Sequence, residues 1–356
     1  MSELLDQAAQ VRPGEELDAG RLEDFLRLSI PGLGGELEIS QFPSGYSNLT
    51  YFLRMGGREM VLRRPPHGTK AKTAHDMSRE YKVLSALHPV FPYCPKPLVY
   101  SEVPAIMGCH FYVMERIHGI ILRRSLPPEL GFGPVELQRL TRSLVEVMAE
   151  LHAVDYQAAG LGEFGKPQGY VRRQVEGWSK RYRAARTPDV PNGEAVMEWL
   201  AAEMPLESPT PTVIHNDLKL DNVVLASDDP LKIVGVLDWE MATLGDPLMD
   251  LACTLAYWAQ ADDPPEMVEA ASMITHLPGC LTRREAVEYY GQLTGRVMDR
   301  MDFYYCFGLF RLAVIVQQIY YRYFHGQTAD SRFARLGPMV VLLLAKARAV
   351  AEGAQA

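Results

Sequence analysis

Between two short apolar runs, Val213-Ile214 and Val223-Val224-Leu225, the chain reads His215-Asn216-Asp217-Leu218-Lys219-Leu220-Asp221-Asn222. An Asp followed five residues later by an Asn is the catalytic-loop spacing of phosphoryl transfer. There the carboxylate accepts the proton of an attacking hydroxyl and the amide oxygen holds a magnesium ion. Short strands at both ends of the loop would fix where the two groups stand. His-x-Asp-x-x-x-x-Asn sets only three positions and arises by chance in roughly a few per cent of chains this long, so a second element is needed. It is Ile233-Val234-Gly235-Val236-Leu237-Asp238-Trp239-Glu240, an apolar strand ending in an acid 21 residues after Asp217. A carboxylate at the mouth of a buried strand suits a hard divalent cation that bridges phosphate oxygens. Asp217 is thus the candidate base, and Asn222 and Asp238 are the candidate Mg2+ ligands.

These two blocks together resemble the aminoglycoside phosphotransferase/choline kinase family, the small-molecule branch of the protein-kinase-like fold. The likeness runs on through Leu244-Gly245-Asp246-Pro247-Leu248-Met249-Asp250-Leu251-Ala252. Val61 to Pro66, Phe111 to Glu115 and Gly169 to Gln174 are similar to a subgroup, the kinase-like domains fused to or encoded near acyl-CoA dehydrogenases. The resemblance covers roughly residues 36–260. It implies ATP or GTP as phosphoryl donor and a hydroxyl on a small molecule as acceptor. Pro43 to Asn48 falls where the family has its phosphate-covering loop, with Gly45 letting the backbone approach and Ser44 and Ser47 donating hydrogen bonds. Arg63 takes the third-strand position where most of the fold places a phosphate-binding Lys, and Glu80 on the crossing helix would be its partner. Met114, Glu115, Arg116 and Ile117 match the segment whose backbone meets the purine edge.

Two departures bear on activity. Asn216 stands where the family usually has Gly, and Arg63 replaces Lys. They motivate an alternative, a catalytically silent kinase-like scaffold that only binds nucleotide, against which stand the intact Asp217, Asn222 and Asp238. Leu218-Lys219 is also how protein kinases continue after the catalytic Asp. However, Asp238-Trp239-Glu240 is not Asp-Phe-Gly, and seven residues between Asp238 and Asp246 leave no room for a peptide-docking activation loop. His215 reads as a brace for the loop through its ring, and Asp250 as an acceptor for the loop backbone. On the acceptor side the candidates are Arg172, Arg173, Trp178 and Glu240. The same arginines read equally well as the solvated face of an amphipathic helix. An aminoglycoside would need an acidic groove, whereas a hydroxylated acyl thioester would be met by Arg172, Arg173, Lys180 and Arg181.

The elements that must position these residues change in kind along the chain. Residues 1–33 read as an acidic helical lead-in. Leu37 to Phe42, Thr50 to Met55 and Glu59 to Arg63 read as strands, the last two joined by Gly56-Gly57 in a turn that needs positive φ at both positions. A helix over residues 74–88 carries Glu80, and strands follow at Pro97 to Ser101 and Cys109 to Ile117. Beyond Gly119 the helical period dominates, as at Leu140, Leu144, Val147, Met148 and Leu151. Further helices are expected near 169–186, 192–203, 247–260, 282–296, 298–325 and 329–351, with residues 212–237 the one β-type interruption. The expectation is a bilobal α+β protein-kinase-like fold, with a nucleotide-covering lobe at 1–117, a catalytic and acceptor lobe at 118–356, and ligands in the cleft between.

Composition bounds the remaining classes. The 356 residues hold 44 acidic and 36 basic side chains, a net charge of −8, with no Lys/Arg block. That argues against nucleic acid or an anionic membrane as partner. Met1 to Arg12 lacks signal-peptide character, and the longest uninterrupted apolar run, Pro338 to Ala345, is far shorter than the roughly 20 residues of a membrane span. Five scattered cysteines form no C-x-x-C pair, so a reduced, cytoplasmic setting is the expectation.

Overall fold

The computed structural model describes residues 7–43, 48–66, 76–206, 210–328 and 330–353. In chain order the elements are α1 (Ala19–Ser29), β1 (Glu38–Gln41), β2 (Leu49–Met55), β3 (Arg58–Arg64), α2 (Met77–Leu87), β4 (Pro97–Ser101), α3 (Pro104–Met107) and β5 (Phe111–Glu115). Then come α4 (Pro134–Ala153), α5 (Tyr170–Ala185), α6 (Glu194–Ala202), β6 (Thr212–Ile214), β7 (Val223–Leu225), β8 (Ile233–Val236) and β9 (Thr243–Gly245). Helices α7 (Pro247–Tyr257), α8 (Pro265–Glu269), α9 (Arg283–Thr294), α10 (Met301–Phe324) and α11 (Leu336–Ala351) complete the chain. They group into two compact units that are not contiguous in sequence. The first comprises Met1–Ile121, Ala158–Leu161 and Asn222–Ala242; the second comprises Leu122–Gln157, Gly162–Asp221 and Thr243–Ala356. The chain passes between the units at residues 121–122, 157–158, 161–162, 221–222 and 242–243, the first of these near the single division at residue 117 expected from sequence.

The first unit is built on an antiparallel sheet in the order β1-β2-β3-β5-β4. Gly56 and Gly57 make the β2–β3 turn at φ 57° and 79°, the left-handed values that hairpin geometry demands. A Cβ on Gly56 would stand 2.2 Å from the Gly34 carbonyl oxygen, so the turn admits nothing larger. Alternation sorts the strands by face. Tyr51, Leu53 and Met55 of β2, Met60 and Leu62 of β3 and Phe111 and Val113 of β5 pack on Leu22 and Leu26 of α1. Each of those two leucines, fully buried, contributes about 1.5–3 kcal/mol. Arg63, between Leu62 and Arg64, belongs to the opposite face. The lead-in is less helical than expected. Asp18 caps α1, but Ala9 exchanges backbone hydrogen bonds with Gln41, because Pro13-Gly14 interrupts the earlier stretch. The hairpin β7–β8 belongs to this unit and pairs Val223 with Val236.

The second unit is mainly helical. Its two-stranded sheet pairs β6 with β9, a three-residue strand that sequence reading missed because it is too short to alternate. Helix α10 packs against α5, α7 and α11. Among the described residues it alone is long and apolar enough to cross a membrane by length and composition, yet 67% of that window is buried, as in the core helix of a folded unit. Gly308 permits this packing, since a Cβ there would lie 2.3 Å from the Ala252 carbonyl oxygen of α7. The five cysteines are all free.

Candidate active-site residues

In the first unit, the β7–β8 hairpin does the positioning. Its ladder continues one step past the strands, where Leu237 N–H donates to the Asn222 carbonyl at 2.8 Å. Asn222 and Asp238, 16 residues apart in sequence, thus flank the same paired ends. Gly235 of β8 faces Ile117, whose Cδ1 would be 2.6 Å from an added Cβ, so the strand must be bare there. At Asp238 the backbone turns into the left-handed region (φ 67°, ψ 64°) and enters a single 3-10 turn, Trp239–Met241. Trp239 is buried and donates from Nε1 to the Val236 carbonyl at 2.9 Å, which pins the turn.

Arg63 joins two other predicted residues in one network. Its guanidinium pairs with Glu80 of α2 through Nη1 and with Asp238 Oδ1 through Nη2 at 2.9 Å. Arg63 and Glu80 are 7% and 1% exposed, so this is a buried pair and not the solvated one that costs little to lose. Burial, with Asp238 adding to it, pushes the Glu80 carboxyl up against the pull of Arg63. Burial likewise opposes the charge on Arg63, but Glu80 and Asp238 outweigh it and the guanidinium stays protonated. The Arg63–Asp238 contact was not legible in sequence, since β3 and the end of β8 lie 175 residues apart.

In the second unit, Asp217 stands on a loop whose backbone is held from α7. Asp250, wholly buried in the first turn of that helix, accepts from His215 N–H at 2.7 Å and Asn216 N–H at 2.6 Å. His152 Nε2 of α4 meets the same carboxylate at 3.1 Å, and His152 Nδ1 meets the Tyr290 hydroxyl at 2.7 Å. Burial alone would raise the Asp250 carboxyl; the His152 hydrogen bond, the charges around it and the His215 amide bring it below the usual carboxylate range. His215 is buried and braces the turn, its Nδ1 accepting from Asp217 N–H at 3.2 Å. Asn216 sits at φ 66°. A β-branched or bulky residue would be strained there by about 1–2 kcal/mol, but Asn, like Gly, visits this region readily. The Asn-for-Gly exchange therefore keeps the backbone conformation.

Sequence reasoning gave no role to Lys219. Its ammonium is 3.3 Å from Asp217, 3.7 Å from Asp221 and 4.7 Å from the centre of the Tyr257 ring. Burial opposes its charge, but Tyr257, Asp217 and Asp221 hold its pKa above the usual range. Burial raises the Asp221 carboxyl, with Lys219 opposing and Asp217 adding. The signal was present in Leu218-Lys219, but spacing alone does not say where a flexible side chain goes.

The remaining candidates scatter. Ser44, Gly45 and Ser47 lie outside the described residues. Met114 and Glu115 end β5, and Ile117 packs on Gly235. Glu115 N–H already donates to the Lys96 carbonyl at 2.8 Å and Arg116 N–H to that of Glu59 at 3.3 Å, so neither amide is open to a purine edge. Arg172 is exposed beside Glu176 on α5, whereas Arg173 turns back to the carbonyls of Gln168 and Lys166. Trp178 is buried at 6% exposure with Arg181 and Arg311 over its ring. Its neighbours are large residues from two helices, which close over it. Glu240 accepts from Asn48 Nδ2 at 2.8 Å and so belongs to the first unit, while Arg172, Arg173 and Trp178 belong to the second.

The chain is similar to known proteins in sequence and in fold. Acyl-CoA dehydrogenase family member 11 of Rattus norvegicus is 35% identical over 328 residues, 90% of this chain and 42% of the relative, so the chain spans about two fifths of that relative's length. A crystal structure from Ralstonia eutropha, assigned as an aminoglycoside phosphotransferase, is 31% identical with a TM-score of 0.82, covering 96% of this chain and 100% of that one. An aminoglycoside phosphotransferase in ternary complex with AMP-PNP and hygromycin B shares the fold at 16% identity and a TM-score of 0.58, over 94% and 99% of the two chains. Residues 38–304 match the description of the phosphotransferase enzyme family, a span that takes in β1 through the start of α10 with every element that carries Arg63, Glu80, Asp217, Asn222, Asp238 and Asp250. The chain belongs to that family and has its kinase-like α+β fold.

Proposed function

We propose that this chain transfers the γ-phosphoryl group of ATP, or GTP, to a hydroxyl of a small molecule. The supporting observation is the loop 215–222. Its backbone is anchored on Asp250 ahead of Asp217, and its far end delivers Asn222 to the hairpin that also ends in Asp238. Asp217 orients the acceptor hydroxyl and takes its proton. The amide and carboxylate oxygens of Asn222 and Asp238 fit a hard cation such as Mg2+, and the paired β7–β8 ends hold their backbones together. When bound, that ion neutralises phosphate charge. Arg63, fixed by Glu80, supplies a further positive charge for the phosphates. The solved relative holding AMP-PNP supports an ATP-type donor.

For the acceptor, a hydroxylated acyl compound is favoured over an aminoglycoside. The relative is described as an acyl-CoA dehydrogenase family member, which supports an acyl-type acceptor. The test is a phosphorus NMR screen of wild type and Asp217→Asn with Mg·ATP and a panel of hydroxyacyl thioesters, hydroxy acids, aminoglycosides and a Ser/Thr peptide. Asp217→Asn should bind Mg·AMP-PNP as wild type does and lose about 10²–10⁴-fold in turnover, the usual span for a general base. Undiminished turnover overturns the assignment. A silent nucleotide-binding scaffold is the second reading. It is favoured by Arg63, which already occupies one oxygen of Asp238, and it requires magnesium-independent nucleotide binding with no product across the panel.

A further inference from the structure

Helix α10 carries a buried charge that the proposed chemistry leaves unexplained. Arg311 is 3% exposed amid Leu309, Phe310, Ala313 and Val314, all buried. A guanidinium is costly to desolvate, so its partners indicate what it is for. Arg311 Nη2 donates to the carbonyl of Asn216 at 2.9 Å, and the guanidinium carbon lies 5.3 Å from the centre of the buried Trp178 ring. Burial opposes its charge, and Cys253, Tyr257, Asp217 and Tyr170 outweigh that effect.

The Asn216 carbonyl is half of the peptide group that joins Asn216 to Asp217. Three polar groups of Asn216 are taken by three different helices. Its N–H goes to Asp250 of α7 at 2.6 Å, its side-chain oxygen to the Tyr170 hydroxyl of α5 at 3.3 Å, and its carbonyl to Arg311 of α10. Fixing the carbonyl fixes the 216–217 peptide plane and so the positions of the Asp217 N–H and Cα, the base from which its carboxylate is carried. Trp178 accounts for its burial in the same way, as the wall against which the guanidinium rests.

We propose that Arg311 is a positioning residue, which with Tyr170 holds the 216–217 peptide plane and so aims the Asp217 carboxylate. This rests on the phosphotransferase reading only for its consequence in turnover; the anchoring itself is separately measurable. In the full chain, hydrogen–deuterium exchange of the 213–222 peptide is compared in wild type, Arg311→Met and Arg311→Lys, with α11 as the internal control. Arg311→Met should speed loop exchange by about tenfold while α11 is unmoved, and Arg311→Lys, which keeps the charge, should restore most of the protection. Turnover of Mg·ATP with the best acceptor should fall in Arg311→Met with the nucleotide KM unchanged. Unaltered loop exchange overturns the proposal, as does acceleration of loop and α11 together. A fall in nucleotide affinity matching the fall in kcat also overturns it. If Arg311→Met does not fold, Arg311→Gln takes its place under the same criteria. A wild type that protects the loop as described but never phosphorylates any acceptor sinks the phosphotransferase reading and leaves the anchoring standing.

Discussion

Replacing Asp250 by Asn is the sharpest test of how the loop is held. The substitution changes almost no volume, so packing is not the variable. In the wild type two backbone amides, those of His215 and Asn216, share one carboxylate at 2.7 and 2.6 Å, and His152 supports it at 3.1 Å. Hydrogen bonds to a charged group contribute about 1.5–3 kcal/mol each, against about 1 kcal/mol for a neutral one. An asparagine can offer its carbonyl to one amide, but its NH2 then faces the other. That amide is left buried without an acceptor, at a cost of about 1–3 kcal/mol. The expected loss is about 3 kcal/mol of unfolding free energy for the second unit. Urea unfolding followed by the fluorescence of Trp178, Trp199 and Trp258, all in that unit, would read it. Deuterium uptake at 213–218 should rise in parallel. The sign with pH follows from the depressed Asp250 carboxyl. Its stabilisation is complete above the unfolded value of about 4 and fades as pH falls below it, so wild type and variant should converge in acid. A difference under about 1 kcal/mol at neutral pH, with loop exchange unchanged, would refute the reasoning.

Other expectations follow from single residues. Arg63→Met strands Glu80 in the interior and should destabilise the first unit by about 3–5 kcal/mol, whereas Arg63→Met with Glu80→Met should recover most of the loss; denaturant midpoints of the two variants decide it. Burial opposes but Arg283, Lys346 and the Gln260 amide hold the Asp263 carboxyl down to about 2, so its contribution is present above about 4 and lost between there and about 2. The shift corresponds to about 2 kcal/mol, and Asp263→Asn should flatten the acid limb of the stability curve in that window. Reversing Arg172 and Arg173 to Glu should raise the acceptor KM if the acceptor is anionic, and an unchanged KM removes α5 from the acceptor site. Gly235→Val should displace Ile117 and weaken magnesium-dependent nucleotide binding, measured by titration calorimetry.

Local order was open to sequence reading wherever one rule governed it. The Gly56-Gly57 turn, the alternation of β2 and β3 and the helical stripe of α4 each follow from backbone sterics or from a period of burial, and a linear pattern records both. The placement of Asp217 and Asn222 on one loop, and of Asp238 at the end of an apolar strand, was legible because short apolar runs mark where the loop and the hairpin begin and end. Strand β9 was not, since three residues carry no period. Arg63 touching Asp238, Glu240 paired with Asn48, Trp178 closed over by Arg311, and Arg311 reaching the peptide beside Asp217 were also beyond reach. Each of these contacts joins residues 95 or more positions apart. Side-chain destinations of that kind are set by which faces the tertiary packing turns toward each other. The chain alone offered the candidate groups; only the folded units decided which charges hold them in place, because a buried charge takes its partner from space and not from sequence.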